Sequence, residues 1–330
     1  MSRNHAQATR RDVLKLAGGA ASLAAIGAAV PTTAQAAAPM LGVQRPQIYR
    51  FKLGSFEVTN ILDGFRIGDG PHPIFGNNQP LEAVQDYAKA NGLSPTKIDT
   101  PFTNTIVNTG KELVLFDTGN GKARMPTAGK LAELLVTAGY KPEQIDIVAI
   151  THGHPDHIGG LMEGEGGKPT YPNARYVFSE VEFDYWKKGD NIAEARKPNR
   201  EQFMKVAVPF GEKATFLKGD GEVVSGIRSV PTFGHSPGHM AFHVESDGQR
   251  LLIWADVANH YVMSIQQPDW HVAFDHDKEA GAATRKRVFD MVSTDKVAVV
   301  GYHMPFPSLG WVEKSGTSYR WVPASYQFNL

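Results

Sequence analysis

The sequence predicts an α/β fold in which β-sheets are sandwiched between helices. Two observations predict it: short apolar runs alternate with segments of helical spacing, and this order occurs in two similar halves without an obvious linker. The 330 residues are 42% hydrophobic and 21% charged, which is the balance of a globular protein that can bury a sizeable core. One α/β domain therefore accounts for both halves.

The first half of the domain is predicted from alternating or β-branched runs, which indicate strands, and from apolar residues at helical spacing. Gly54 marks a hairpin turn within the first strand pair. In chain order the predicted elements are a hairpin over Tyr49–Leu62, a loop over Gly68–Pro73, a helix over Leu81–Ala90, a strand over Asn104–Asn108, a turn over Thr109–Lys111, a strand over Leu113–Phe116, a helix over Lys130–Ala138 and a strand over Ile145–Ile150.

The second half repeats this order of strands and helices. Its predicted elements are a strand over Arg175–Ser179, a helix or turn over Val181–Lys188, a polar stretch over Gly189–Arg200, strands over Ile227–Val230, Met240–Val244, Leu251–Trp254 and Val297–Val300, and a helix over Arg285–Val292.

Charge and cysteine content narrow the function classes. Lys and Arg together number 34, as do Asp and Glu, and the formal net charge is +0. No basic block beyond the N-terminus indicates a nucleic-acid partner, so a small-molecule substrate is favoured. Because the chain has no cysteine, disulfides, thiolate metal ligands and a cysteine nucleophile are excluded.

Residues 1–36 are predicted to be a twin-arginine signal peptide. A pair of arginines within Thr9–Lys15 precedes an apolar run, Leu16–Val30, that is rich in Ala and Gly, and Ala34–Ala36 offers a cleavage site. A transmembrane anchor and an amphipathic helix of the fold are the alternatives. The apolar run is shorter than the roughly 18 to 20 residues of a membrane span, which disfavours the anchor.

This prediction sets the localisation and the domain bounds. Export by the twin-arginine route places the protein in the periplasm or outside the cell. Residues 37–47 are then expected to be a flexible lead-in, and residues 48–330 the folded domain, with no membrane span in the mature chain.

A loop rich in histidine, Thr151–Gly160, follows the apolar run that ends at position 150. It carries His152, His154, Asp156 and His157 within six positions. Alternate side chains such as His152 and His154 can face one metal ion. Asp156 and His157 are then displaced toward a second ion. Imidazole and carboxylate ligands without thiolate suit Zn²⁺, with Mn²⁺, Fe²⁺ and Co²⁺ as competitors. A polar surface loop without metal is the alternative, and the ligand spacing disfavours it.

Three further strand ends carry ligand-type residues. His235 lies in Gly234–His239, Asp256 follows the strand that ends at Trp254, and His303 follows the run that ends at Val300. Each is a weak signal singly, because a lone histidine at a strand end is more often a hydrogen-bonded structural residue than a ligand. Because they follow the histidine loop in this order, the three residues together are a strong indication of metal ligands.

Together these residues resemble the metallo-β-lactamase-fold hydrolases, whose HxHxDH loop is followed by a distal His, a bridging Asp and a final His. The resemblance implies an αββα sandwich of two mixed β-sheets flanked by helices, and two-metal hydrolysis. It divides the ligands between two ions as follows: His152, His154 and His235 on one ion, Asp156, His157 and His303 on the other, and Asp256 between both.

Other stretches are similar to the group of methyl parathion hydrolases and related lactonases. The stretches are Tyr49–Arg50, Leu53–Thr59, Val107–Gly110, Ala138–Gln144 and Tyr319–Pro323. This resemblance implies a secreted binuclear enzyme and a homodimer.

The expected chemistry is hydrolysis by water. Two divalent ions about 3.5–4 Å apart can share a hydroxide and polarise the group under attack. The hydroxide is expected to attack a lactone or ester carbonyl, or a phosphotriester phosphorus, and Asp156 or Asp256 is expected to take the proton. No serine or cysteine triad is needed.

Two residues are expected to support the ligands. Asp117 is expected to hydrogen-bond a ligand histidine or its loop, as similar aspartates do in the family, or else to end its strand in an Asx turn. His239 is expected to order its loop rather than to bind metal.

The substrate pocket is expected to be aromatic. Tyr185, Trp186, Phe203 and Phe274 are its candidate lining residues, with ordinary core packing as the alternative. Methyl parathion hydrolases carry an aromatic residue in the loop after Asp-Thr-Gly, where this chain has Arg124. This difference favours a lactone or carboxylic ester over an aryl phosphotriester.

Three functions remain open from the sequence. The first is an exported lactonase or esterase with promiscuous phosphotriesterase activity, and the second is an enzyme whose main substrates are organophosphates. The third is a non-catalytic periplasmic metal-binding protein, which an open two-metal site disfavours.

Overall fold

A computed structural model of the chain describes residues 40, 42–122, 125–164, 167–324 and 328–330. Arg45–Leu330 forms one compact unit. The signal peptide predicted over residues 1–36 lies outside the described residues, as does Arg124. Within the part of the chain that the structure describes, no helix is long and apolar enough to cross a membrane.

Two mixed sheets form the centre of the unit, and in each the spatial order of the strands follows the chain. The first sheet contains β1 (Ile48–Leu53), β2 (Phe56–Asp69), β3 (Lys97–Asn108), β4 (Leu113–Phe116), β5 (Ile147–Ala149), β6 (Arg175–Ser179) and β7 (Thr215–Leu217). The second contains β8 (Glu222–Val224), β9 (Ile227–Pro231), β10 (Met240–Ser246), β11 (Gln249–Ala255), β12 (Ala298–Gly301), β13 (Leu309–Ser315) and β14 (Ser318–Pro323).

Strand direction differs between the two sheets. In the first sheet β1 to β4 are antiparallel and β4 to β7 are parallel. In the second sheet β11 and β12 form a parallel pair, whereas the other neighbours are antiparallel.

Helices cover the outer faces of both sheets. They are α1 (Leu81–Ala90), α2 (Leu131–Thr137), α3 (Pro155–Ile158), α4 (Glu180–Lys188), α5 (Lys197–Val206) and α6 (Lys278–Thr294). Apolar side chains of α2, α4 and α5 pack on the first sheet, and those of α6 pack on the second. The predicted αββα sandwich is therefore confirmed.

The central core lies between the sheets because side chains of a strand alternate between its two faces. In β4, Leu115 packs with the helices of the first sheet, whereas Val114 and Phe116 point toward the second sheet. The rings of Phe116 and Phe242, one from each sheet, have centroids 5.0 Å apart.

The fold differs from the prediction in several places, two of which involve β2 with β3 and helix α5. The β2 and β3 strands extend past a bulge near Gly64 as a ribbon that reaches Asp69 and Lys97, where the sequence predicts a loop from Gly68 onward. The ribbon is partly exposed and contains no continuous apolar run, so the sequence pattern does not predict its strands. Helix α5 begins within the stretch predicted only to be polar. The buried residues of this helix, Phe203 and Val206, lie beyond that stretch.

Candidate active site

The predicted ligand residues converge at one edge of the sandwich. His152 and His154 lie in the loop after β5, and this loop leads directly into α3. His235 lies in the connection between β9 and β10, Asp256 follows β11, and His303 follows β12. Because these four strand ends meet at the same edge, residues distant in sequence become neighbours.

The first ligand group comprises His152, His154, His235 and Asp256, whose ligand atoms all lie within 4.8 Å of one another. Nδ1 of His154 lies 2.9 Å from Nε2 of His152 and 3.0 Å from Nε2 of His235. Nε2 of His235 lies 3.2 Å from Oδ2 of Asp256. Nitrogen ligands around a tetrahedral Zn²⁺, with bonds of about 2.0–2.1 Å, stand about 3.3 Å apart, so these spacings suit such an ion.

The second ligand group comprises Asp156, His157 and His303, also within 4.8 Å of one another. Oδ2 of Asp156 lies 3.6 Å from Nε2 of each histidine. Asp256 reaches this group too, because its Oδ1 lies 3.3 Å from His157 Nε2 and its Oδ2 lies 3.2 Å from His303 Nε2. One carboxylate thus stands between the two groups.

Unsatisfied polar atoms provide an independent test of the fit to metal ions. Nε2 of His157 and Oδ1 of Asp256 are buried, and among the described residues neither forms a hydrogen bond. Buried polar atoms in native proteins nearly always have a partner. A cation contacted by both atoms, which lie 3.3 Å apart, would satisfy them.

The electrostatics of the site also suit cations. Burial lowers the pKa of His152 and His154 well below the usual imidazole value, which leaves them neutral, as metal ligands must be. Burial would raise the pKa of Asp256, but the surrounding histidines hold it well below its ordinary value. Although burial opposes protonation of His157, nearby carboxylates raise its pKa well above normal. The carboxylates around this ring therefore favour a positive charge at its position.

Asp117 makes the contact expected of it. Its Oδ2 lies 2.7 Å from Nδ1 of His157, and its carboxylate accepts hydrogen bonds from the backbone N–H and the hydroxyl of Thr151, both at 2.8 Å. The residue adopts a φ of 57°, which is uncommon for a side chain other than glycine. It fixes the orientation of one ligand ring and the start of the histidine loop.

His239 lies behind Asp256, outside both ligand groups. Its Nδ1 is 2.8 Å from the hydroxyl of Thr232, and its Nε2 accepts a hydrogen bond from the backbone N–H of Asp256 at 3.2 Å. The ring therefore contacts the backbone that carries the shared carboxylate.

The sequence did not predict the partners of two other ligand rings. Asp275 Oδ1 lies 2.9 Å from Nδ1 of His235, and its Oδ2 accepts a hydrogen bond from Arg285 at 2.9 Å. Nε2 of His276 lies 3.0 Å from Nε2 of His154. These partners lie late in the irregular segment between β11 and α6, away from the strand end, so no local pattern marks them.

A cavity of about 200 Å³ opens beside the ligands. Asp156, Asp256 and His303 line its inner end, and Arg66, Arg196 and Asn199 supply further polar groups. Its apolar lining comes from Ile74, Ile98, Phe102, Met125 and Phe274. Phe274 therefore lines this cavity, and the β2–β3 ribbon contributes Arg66, Ile98 and Phe102 to the lining.

The other aromatic residues predicted to line the pocket lie elsewhere. Trp186 and Phe203 are fully buried in the core beneath the histidine loop, so their prediction as substrate contacts was wrong. The indole of Trp186 supports the loop, with its ring centroid 6.1 Å from that of His154. Tyr185 is only partly buried, packs against His276 and is absent from the cavity lining among the described residues.

Replacement of Asp117 by alanine is expected to weaken metal binding by about 10- to 100-fold, because partners of ligand histidines typically contribute that much. Competition with a coloured chelator measures the affinity of the metal-free protein for Zn²⁺. Asp146→Ala is the matched control, since Asp146 also accepts a backbone hydrogen bond beside β5, from Leu113, but contacts no ligand residue. Equal affinities of the two variants would contradict the role of Asp117.

Comparison with known proteins adds to this geometry. Residues 102–291 match the family model described as the Metallo-beta-lactamase superfamily. The chain is 24% identical over 188 residues to an N-acyl homoserine lactonase of Bacillus cereus, an alignment that spans 57% of this chain and 67% of the relative.

Two solved structures resemble the whole folded unit. A dizinc quorum-quenching lactonase, AidC, solved with a product N-hexanoyl-L-homoserine, superposes with a TM-score of 0.79 at 25% identity, covering 85% of this chain and 98% of AidC. The hydrolase AbOPH superposes with a TM-score of 0.78 at 24% identity, covering 86% of this chain and all of AbOPH (100%).

Proposed function

The chain belongs to the metallo-β-lactamase superfamily and is a metal-dependent hydrolase, and we propose that it uses two divalent ions to open an N-acyl lactone. The observation that carries the proposal is the arrangement of two ligand groups around one shared carboxylate, Asp256, at the inner end of a partly apolar cavity. Zn²⁺ is the proposed metal, because the ligands are imidazole and carboxylate and AidC is a dizinc lactonase.

The division of ligands is proposed as the structure groups them. His152, His154 and His235 would hold one ion, and Asp156, His157 and His303 the other, with Asp256 contacting both. When bound, two such ions supply Lewis acidity, which lowers the pKa of a coordinated water and polarises the carbonyl under attack.

Proton transfer is assigned to a carboxylate at the cavity. Asp156 and Asp256 both line it, but the side chain of Asp156 is 15% exposed and that of Asp256 is 4% exposed. We assign the proton from the attacking water to Asp156, because its carboxylate is more accessible from the cavity. A neutral ring-opened product would then require this proton to be returned to the leaving alkoxide.

The lactone is preferred over a phosphotriester for two reasons. The lactonase of Bacillus cereus and AidC both act on lactones by name, and the cavity has an apolar wall suited to an acyl chain. A similar site can polarise a P=O bond, so phosphotriester hydrolysis is proposed as a secondary activity. The group of methyl parathion hydrolases remains a resemblance of sequence.

Export and assembly are also proposals. We infer from the arginine pair and apolar run that residues 1–36 direct twin-arginine export to the periplasm, with residues 37–47 as a lead-in to the enzyme over 48–330. The homodimer rests on the family resemblance. Cell fractionation and light scattering of the mature protein test these two inferences separately.

The substrate proposal predicts a lactone preference of at least about a hundredfold in kcat/KM over methyl parathion. The measurement compares an N-acyl lactone and methyl parathion side by side on Zn²⁺-loaded protein, with His154→Ala as the inactive control. A preference for the phosphotriester would favour the organophosphate hydrolase. Activity on neither substrate, with two ions bound, would contradict the substrate class and support a metal-binding protein without catalysis.

A further inference from the structure

Glu182, on α4, is a buried carboxylate whose four contacts join separate parts of the site. It is 2% exposed. Its Oε1 accepts hydrogen bonds from the backbone N–H of Gly153 and the indole N–H of Trp186, each at 2.8 Å. Its Oε2 accepts from the hydroxyl of Ser236 at 2.7 Å and from the backbone N–H of Gly238 at 2.8 Å.

These contacts connect the two loops that carry the histidines of the first ligand group. Gly153 stands between His152 and His154, and Ser236 directly follows His235. One carboxylate therefore fixes the distance between two chain segments that are far apart in sequence and that must supply three ligands to the same ion.

Both loops approach α4 so closely that only glycine, which has no Cβ atom, fits at the points of contact. A Cβ atom at Gly153 would lie 2.3 Å from Nε1 of Trp186, and one at Gly238 would lie 2.2 Å from the backbone nitrogen of Glu182. Such distances are sterically forbidden, so glycine at both positions allows the hydrogen bonds to form. The close approach of the two loops to α4 and the four hydrogen bonds to Glu182 therefore depend on each other.

The second ligand group is held by different partners. His157 is oriented by Asp117, and Nδ1 of His303 lies 2.8 Å from the carbonyl oxygen of Pro101. The contacts of Glu182 include neither ring. Loss of the Glu182 carboxylate should therefore disturb the geometry of the first ligand group more than that of the second.

We propose that Glu182 is a positioning residue that sets the metal affinity of the first ligand group and leaves that of the second largely unchanged. The inference rests on the proposed two-metal site. Replacement by glutamine keeps the size of the side chain but replaces one carboxylate oxygen with an N–H₂ group. This donor would then face the two hydrogen-bond donors that the oxygen accepted from. The unpaired donors must separate, and the two histidine loops move apart with them.

Stepwise Co²⁺ titration of metal-free protein, followed by its visible absorption, tests this without any enzyme assay. In Glu182→Gln we expect one ion to bind within about threefold of the unmutated affinity and the other to bind at least about tenfold more weakly, with a changed spectrum for the weakened site. Glu180→Gln is the matched control, because Glu180 lies on the same helix and pairs with Lys218 at the surface; both ions should bind it normally.

A second variant covers the case in which Glu182→Gln does not fold. Ser236→Ala removes one of the four donors and should weaken the same ion in the same direction. Unchanged binding of both ions in the folded variant, or equal weakening of both, would overturn the inference while the two-metal site stands. Fewer than two ions in the unmutated chain would contradict the proposed function, and the inference with it.

Discussion

Replacement of Asp256 by alanine is expected to lower kcat/KM for the proposed lactone substrate by at least about 10³. The carboxylate lies within 3.3 Å of nitrogen atoms in both ligand groups, so its loss would remove a ligand from each of the two proposed ions. Lewis-acid stabilisation contributes several kcal/mol, and about 1.4 kcal/mol corresponds to a tenfold change in rate. The metal content of the purified variant should fall together with its activity.

Two further variants separate this effect from general damage. Asp256→Asn preserves the size of the side chain and should also lose metal and activity. Asp220→Asn is the surface control, since Asp220 forms an exposed ion pair with Arg228 and belongs to neither ligand group, and it should behave as the unmutated enzyme. If Asp256→Asn retained both ions and the full rate, the shared carboxylate would have no role in binding or proton transfer.

Replacement of Arg285 by alanine is expected to reduce the free energy of unfolding by about 3–5 kcal/mol, the usual effect of breaking a buried ion pair. Arg285 is 0% exposed and Asp275 is 1% exposed. The guanidinium donates to Asp275 and to the carbonyl oxygens of Val257, Pro268 and Trp270. Without it, a buried carboxylate loses its cationic partner and three carbonyl groups lose a donor.

Chemical denaturation of the metal-free protein measures this change, because bound metal would add its own stabilisation to the folded state. Arg287→Ala is the control on the same helix, where the guanidinium makes an exposed contact with the carbonyl oxygen of Pro231. A loss below about 1 kcal/mol for Arg285→Ala would show that the site relaxes around the vacated guanidinium. Because Asp275 also contacts His235, the variant should bind metal more weakly as well.

The fold and the ligand residues were largely predictable because both depend on local sequence patterns. Alternation and apolar runs gave the bounds of β4, β6 and α1 as the structure has them. Residues such as Asp256 and His303 follow apolar strands, and neighbouring strand ends lie at one edge of a sheet. Their order behind the histidine loop, together with the resemblance to the metallo-β-lactamase-fold hydrolases, therefore predicted that they form one ligand set.

The supporting residues were not predictable in this way. Glu182 lies on a helix that also carries Glu180 and Asp184, and no periodicity distinguishes the buried carboxylate from its more exposed neighbours. Asp275 lies in the irregular segment before α6 and Arg285 lies on α6, so no strand or helix pattern marks their contact. For Trp186, composition could not tell a ring that supports the loop from beneath from one that faces the substrate.

The claim that two ions drive hydrolysis is tested most directly by adding Zn²⁺ in known amounts to the metal-free protein and following hydrolysis of an N-acyl lactone. The predicted result is a rate that rises with added metal and levels off at two ions per chain. Full activity without metal, or a rate that does not depend on Zn²⁺, would contradict it.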